Sequence, residues 1–392
     1  MKLALAVHLL CRMALACMFI FSGFVKIADP MGMTYKLHAY VVALGLQSLA
    51  STVLLEFFAS ALGCIEFVLG IYLLLGVRRK LAVRVTFLFM LIFTAVTIWI
   101  YKDNPVPDCG CFGEAVRLTN GQTLAKNIVL LLCASMLQFY PMPLHRIISV
   151  RNAWIVSIYA WVYAATLCVY TLHYLPAIDF TPYHIGGNIR STLNGDNGND
   201  AEMRLANFYL SDIQTGEDKT FDVVNDSGYT FLLVVPDAKS ADDGCSDRIN
   251  DVFDVCKDMH YAFYMATASS EKDIAEWRDR TGAAYPVLQA EDTELQSMVR
   301  SNPGLLLLKD GRIVAKWSNN ALPEPDVYGN DVSKWIPQER MRPIARLILW
   351  FLIPILFIVM ADSIWIGSKY FKHHIYLKRN NSNQNEKENR SR

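Results

Sequence analysis

Cys109 and Cys111, two thiols separated by one glycine, are the residues whose type and spacing look built for chemistry. They stand in the stretch Pro105-Val106-Pro107-Asp108-Cys109-Gly110-Cys111-Phe112-Gly113-Glu114, a short loop between two long apolar segments. Gly110 lets the backbone turn tightly enough for the sulfurs to meet. Pro105 and Pro107 stiffen the approach and end the preceding helix. A disulfide closing so small a ring is strained, and strained disulfides are the oxidising, exchangeable ones. The chemistry on offer is therefore thiol–disulfide exchange. Spacing alone equally allows a structural clip across the loop or two idle thiols. Zinc wants four ligands, and only two sulfurs with no neighbouring His stand here, so no metal site is expected.

The elements that must position this loop are membrane helices. The chain has 392 residues, 53% of them hydrophobic, and no formal net charge. Its apolar residues clump into six long runs, at 3–25, 52–76, 81–101, 124–141, 152–174 and 344–366. Each approaches the roughly 20 residues that a bilayer core demands of a helix. The first run continues past Ala16-Cys17 to Val25, too long for the apolar core of a cleaved signal peptide, so it is read as a retained helix. The balanced charge, with no basic patch interleaved with aromatics, excludes a nucleic-acid partner. The partner expected first is the lipid bilayer.

Lys and Arg set the orientation. With the N-terminus in the cytoplasm, the inside segments hold Arg78, Arg79, Lys80 and Arg84, then His145, Arg146 and Arg151, then Lys369, Lys372, Lys378 and Arg379. Both termini then face the cytoplasm. Cys109, Cys111 and the long segment 175–343 face outward, where disulfides persist.

Ionisable residues within the apolar runs are costly and mark sites. Lys26 at the outer end of the first helix and Glu66 in the second are the obvious pair, either a structural ion pair or a proton-handling one. Gly63 and Gly70 suit close helix packing. Cys11, Cys17, Cys64, Cys133 and Cys168 fall inside apolar helices, where thiols pack as small hydrophobes. Asp108 and Glu114 flank the thiol pair and are expected to be solvated loop carboxylates or proton carriers.

Ser22-Gly23-Phe24-Val25-Lys26, Glu66-Phe67-Val68-Leu69-Gly70 and Cys109-Gly110-Cys111-Phe112-Gly113 together resemble the DoxX-like superfamily, and within it the methylamine-utilisation MauE branch. The likeness covers about residues 1–140. It implies a four-helix membrane protein of the bacterial inner membrane, concerned with periplasmic disulfide handling and the maturation of a disulfide-rich dehydrogenase subunit. The arrangement is also similar to bacterial vitamin K epoxide reductase relatives, which would imply a quinone. Those use a Cys-x-x-Cys pair, absent here.

The predicted organisation is a four-helix membrane domain over 1–145, a fifth membrane helix over 146–175, and a Pro- and Gly-rich exposed linker over 176–200. An α/β domain follows over 201–322, then a linker and sixth helix over 323–370 and a polar, disordered cytoplasmic tail over 371–392. Within the α/β domain, strands are expected at 208–210, 220–224, 231–235, 261–267, 285–288, 305–308 and 313–317. Helices are expected at 246–260 and 272–280.

Alternating strands and helices ending in a hairpin resemble a thioredoxin-like fold. Pro303 would match that fold's cis-proline, a partner-binding position, and Cys245 its nucleophile. The resolving cysteine is missing, since Ser246-Asp247-Arg248 follows. Asp242, Asp243 and Asp247 crowd Cys245 with negative charge, which suppresses a thiolate. Cys256, eleven residues on, would lie roughly 16 Å along a helix, beyond disulfide reach. The domain is thus expected to be degenerate and to position a partner. Three functional readings follow. One is a thiol–disulfide oxidoreductase or maturation factor acting through Cys109 and Cys111 on an extracytoplasmic client. The others are a non-catalytic scaffold and a quinone-linked protein with a cavity at Lys26 and Glu66.

Overall fold

The computed structural model describes residues 2–49, 51–105, 110–142, 146–190, 208–336 and 343–390. Six of its helices are long and apolar enough to cross a membrane. They are α1 (Lys2–Ala28), α3 (Thr52–Leu75), α4 (Arg79–Asp103), α5 (Asn120–Phe139), α6 (Ala153–His173) and α12 (Pro343–Arg390). A shorter α2 (Pro30–Ala43) follows α1, with Asp29 as its N-cap accepting from the Gly32 amide. The chain is a multi-pass membrane protein.

Two boundaries differ from expectation. α5 begins at Asn120 because Thr119 and Gln122 form a reciprocal capping box, which an apolar count overlooks. α12 continues through the polar stretch beyond Lys378, expected to be disordered, as far as Arg390.

α3 is the hub of the bundle, and glycines set how near α1 lies. A Cβ on Gly23 would stand 2.3 Å from the Phe67 amide nitrogen, and one on Gly70 2.6 Å from that of Ile20. The two backbones touch where those side chains are missing. α12 docks on the outside through Phe351, which packs against Phe67 and Tyr163. Asp362 anchors it further, accepting from the Ser149 amide at 2.7 Å and from Asn152 Nδ2 at 2.6 Å.

Between α6 and α12 the described residues form one sheet of six strands: β1 (Ser211–Asp212), β2 (Tyr229–Val235), β3 (Ala262–Thr267), β4 (Val287–Gln289), β5 (Gly304–Lys309) and β6 (Arg312–Ser318). Their order is β1-β4-β3-β2-β5-β6. β2, β3 and β4 run parallel, while β1, β5 and β6 pair antiparallel to their neighbours. β2 is apolar from Phe231 to Val235 because both faces are covered: Phe231, Leu233 and Val235 on one side, Leu232 and Val234 on the other. The helices are α7 (Thr220–Asn225), α8 (Ser246–Asp258), α9 (Glu271–Thr281), α10 (Asp292–Met298) and the one-turn α11 (Pro325–Tyr328).

Residues 220–224 are helical, where the sequence suggested a strand. Asp218 Oδ1 accepts from the Thr220 amide, and Thr220 Oγ1 from that of Leu210, so polar side chains start a helical turn instead. Residues 208–210, expected to be a strand, are not one; the two-residue β1 follows at Ser211–Asp212, paired with β4. Residues 178–190 lie against the sheet, with Tyr183 and Ile189 buried and Lys316 Nζ 2.6 Å from Asp179.

The sheet domain is tied to the bundle by Arg300. Its guanidinium takes Asp29 at 3.1–3.2 Å and lies 5.5 Å over the Tyr35 ring. Asn320 Nδ2 donates to the His173 carbonyl at the end of α6.

Candidate functional site

Ser22 and Lys26 stand one turn apart on α1 and face Glu66 on α3. Lys26 Nζ lies 2.6 Å from Ser22 Oγ, 2.8 Å from Glu66 Oε2 and 2.9 Å from the carbonyl oxygen of Cys111. An ammonium has three hydrogens, and these three acceptors take them all. Ser22 Oγ is also 2.7 Å from Glu66 Oε2 and 2.9 Å from the Cys111 oxygen, so its one hydrogen serves either. Lys26 and Glu66 are 4% and 3% exposed. The thiol loop thus ends on a buried charge pair inside the bundle.

The cavity expected between these helices at Lys26 and Glu66 is filled. A Cβ on Gly63 would meet Lys26 Cβ at 2.9 Å, so the helices close directly on the ion pair. The residues there leave no room for a quinone ring. A hollow beside Cys111, bounded by Phe112, Val116, Leu118 and Thr123, spans about 170 Å³ including space open to solvent. That is below the roughly 300 Å³ at which small-molecule pockets begin.

Cys111 itself is half-buried, and Cys109 and Asp108 lie outside the described residues. Gly110 and Gly113 both adopt left-handed backbone, at φ 63° and 53°, and the Gly113 amide closes the turn on the Gly110 carbonyl at 3.0 Å. Lys36 of α2 lies across Gly110 where any side chain would collide with it. Phe112 is buried against Phe21, with Lys126 Nζ 4.1 Å over its ring. Glu114 is held by Arg117 at 2.6 Å and Lys36 at 3.7 Å. Burial works to raise the Glu114 pKa, but Lys36 and Arg117 hold it below the ordinary carboxylate range. It is a fixed anion near neutrality, which removes it as a proton carrier.

None of the eight described cysteines is in a disulfide. Sequence reasoning missed that four of the membrane cysteines meet in pairs. Cys64 of α3 lies beside Cys168 of α6, and Cys133 of α5 beside Cys11 of α1, whose thiol is 3.9 Å from Met136 Sδ. Cys245 is the N-cap of α8 and 7% exposed, its Sγ 3.4 Å from the Asp242 carbonyl oxygen. Burial first, and Asp242 second, push its thiol up to about 11. Cys256 lies in the last turn and a half of the same helix, pushed up by burial to about 12. The Asn302–Pro303 bond is cis, and the Asn302 carbonyl accepts from the Asp242 amide, placing Pro303 beside the Cys245 loop.

Among the described residues no group of His, Cys, Asp and Glu is arranged to hold a metal ion. Residues 3–140 match the family model described as methylamine utilisation protein MauE. No curated protein and no solved structure matches the chain.

Proposed function

We propose that this chain is a membrane-embedded maturation factor that exchanges disulfides with an extracytoplasmic client through Cys109 and Cys111. The observation that carries the reading is the grip of Lys26 and Ser22 on the Cys111 carbonyl. Burying an ion pair costs several kcal/mol per ion before its mutual attraction is counted, in the order of magnitude found for proteins. An ordinary loop clip needs no such anchor. A thiol that must meet a partner sulfur at fixed geometry does. The match of residues 3–140 with the methylamine utilisation family model supports a client among the proteins of that process. The basic residues at the opposite end of the bundle support an orientation in which Cys111 and the sheet domain face the oxidising side of a bacterial inner membrane.

The sheet domain is read as thioredoxin-like in its parallel β2–β3–β4 core and antiparallel β5–β6 hairpin, with the client held near Pro303. Cys245 is buried and protonated at neutral pH, so the domain positions the client and leaves exchange to the loop.

That same burial of Cys245 favours a second reading, a scaffold that binds its partner and does no chemistry. Serine variants separate the two. In membranes holding the full chain, Cys111→Ser should leave Cys109 trapped in a mixed disulfide with the client, recovered by mass spectrometry. Cys109→Ser with Cys111→Ser should abolish client disulfide formation while preserving its binding. Normal client oxidation by the double variant, with no trapped species from the single one, leaves only the scaffold.

A further inference from the structure

Three sulfurs gather inside the bundle, apart from the thiol loop. Cys11 Sγ of α1 is 3.9 Å from Met136 Sδ of α5, and Cys133 of α5 lies beside Cys11. Cys133 and Met136 are one turn apart, so α5 presents both on one face. Cys11 is 9% exposed and shares its apolar core with Leu130, Ala134 and Leu137 of α5. From Cys11 to Ser22 is roughly 16 Å along α1, so the cluster is separate from the grip on the Cys111 carbonyl. The proposed exchange chemistry makes no use of it.

The donor set is soft. Thiolates and thioethers select copper(I) and leave magnesium and calcium unbound. Zinc wants four ligands, and the cluster offers three. Neither α1 nor α5 contains Asp or Glu, so no carboxylate of either helix completes a harder shell. The spacing agrees with the chemistry. Sulfurs arranged as a triangle around one ion, each at the roughly 2.3 Å of a metal–sulfur bond, stand about 4 Å from one another. Cys11 and Met136 already stand 3.9 Å apart, so an ion entering the cluster needs little rearrangement of the helices. His8, three residues before Cys11 on the same face of α1, is fully buried with neither ring nitrogen hydrogen-bonded. This stretch of α1 therefore carries a second copper-compatible donor that no hydrogen bond in the fold uses.

We propose that Cys11, Cys133 and Met136 form a binding site for copper(I). The ion displaces the two thiol protons to solvent and takes two thiolates and one thioether as a three-coordinate sulfur shell. Its bonds join α1 to α5, so the loaded bundle is more stable than the empty one.

The test uses the full chain in detergent with Cys109 and Cys111 both replaced by serine, which removes the loop thiols as competing ligands. It is titrated without oxygen with the copper(I)–bicinchoninate complex. One equivalent of copper should leave the chromophore, X-ray absorption should show three sulfurs around it, and the unfolding temperature should rise. Met136→Leu keeps the volume and apolarity of the side chain, and should weaken uptake roughly tenfold and leave two sulfurs on the ion. Cys11→Ser with Cys133→Ser should abolish uptake, whereas Cys64→Ser, in the other buried thiol pair, should leave it intact. Failure to draw copper from the chromophore, undiminished uptake in Met136→Leu, or loss of uptake in Cys64→Ser overturns the proposal. Zinc bound as tightly as copper(I) overturns the assignment to a soft ion.

Discussion

Lys26 Nζ lies 2.8 Å from Glu66 Oε2 and 2.9 Å from the carbonyl oxygen of Cys111, so one ammonium closes both an interhelical ion pair and a loop. Each of the three groups depends on the others. The carboxylate compensates the buried charge, and the charge in turn fixes the backbone beside the thiol. Removing either partner leaves the other stranded in an apolar surrounding.

Lys26→Met and Glu66→Gln are therefore both expected to destabilise the bundle by about 3–5 kcal/mol, the usual cost of leaving one buried ion unpaired. Lys26→Met combined with Glu66→Leu should recover much of that loss, because no orphaned charge remains. Unfolding of the full chain in mixed micelles measures all three. A double variant as weak as the sum of the singles would mean that the pair is not coupled.

Much of this site was legible before any coordinates. Lys26 and Glu66 declare themselves because charged residues inside apolar runs need a partner. The long apolar runs likewise declare the spans. Asp29 and Arg300 were illegible as a pair because 271 residues separate them and each reads as an ordinary charge. The thiol contact of Cys64 with Cys168 was hidden for a related reason: sequence gives a residue's helix, not the rotation of that helix against its neighbour. α10 was missed although it carried a signal, with Asp292 and Glu294 in its first turn and Leu295 and Met298 three apart on its buried face.

Close approach of α1 and α3 rests on bare backbone. Gly23→Ala should cost about 1–3 kcal/mol, as overpacking does, because its Cβ would sit 2.3 Å from the Phe67 nitrogen. Gly367→Ala, with nothing within 4 Å, serves as the control and should be neutral or slightly stabilising. Comparable losses at both positions would show that helix propensity, not contact, governs the effect.

Asp29→Asn should loosen the sheet domain from the bundle, since Arg300 is 6% exposed and its charge would remain buried. The expected signature is faster proteolytic cleavage between the two domains, with each domain's own unfolding transition unchanged. Arg300→Lys should rescue only part of the loss, because an ammonium cannot reproduce the two-pronged contact with the carboxylate. Cleavage at the wild-type rate in Asp29→Asn would remove this ion pair from the docking account.

Glu114 gives the loop a pH dependence of known sign. Its folded pKa is held below the unfolded value of about 4.3, so its stabilisation is complete above that value and is lost as pH falls through the lower folded pKa. Hydrogen-exchange protection of the loop amides from Gly110 to Arg117, referenced to each amide's intrinsic rate, should fall across that acidic window in the wild type. In Glu114→Gln protection should be lower and flat over the same range. A loss of protection on raising the pH from 5 to about 7 would reverse the assigned sign.

Cys245 should be a poor nucleophile at physiological pH. Burial, reinforced by Asp242, pushes its thiol up to about 11, so at pH 8 only about one molecule in a thousand carries the thiolate. Iodoacetamide should alkylate Cys245 far more slowly than a model thiol, with the rate climbing roughly tenfold per pH unit between 8 and 10. Asp242→Asn should raise the rate at pH 8 several-fold but not to the level of a model thiol, because burial is the larger cause. Rapid alkylation of the wild type at pH 8 would restore Cys245 as a redox residue. The sheet domain would then have to be read as a partner in the exchange chemistry and not as the holder of the client.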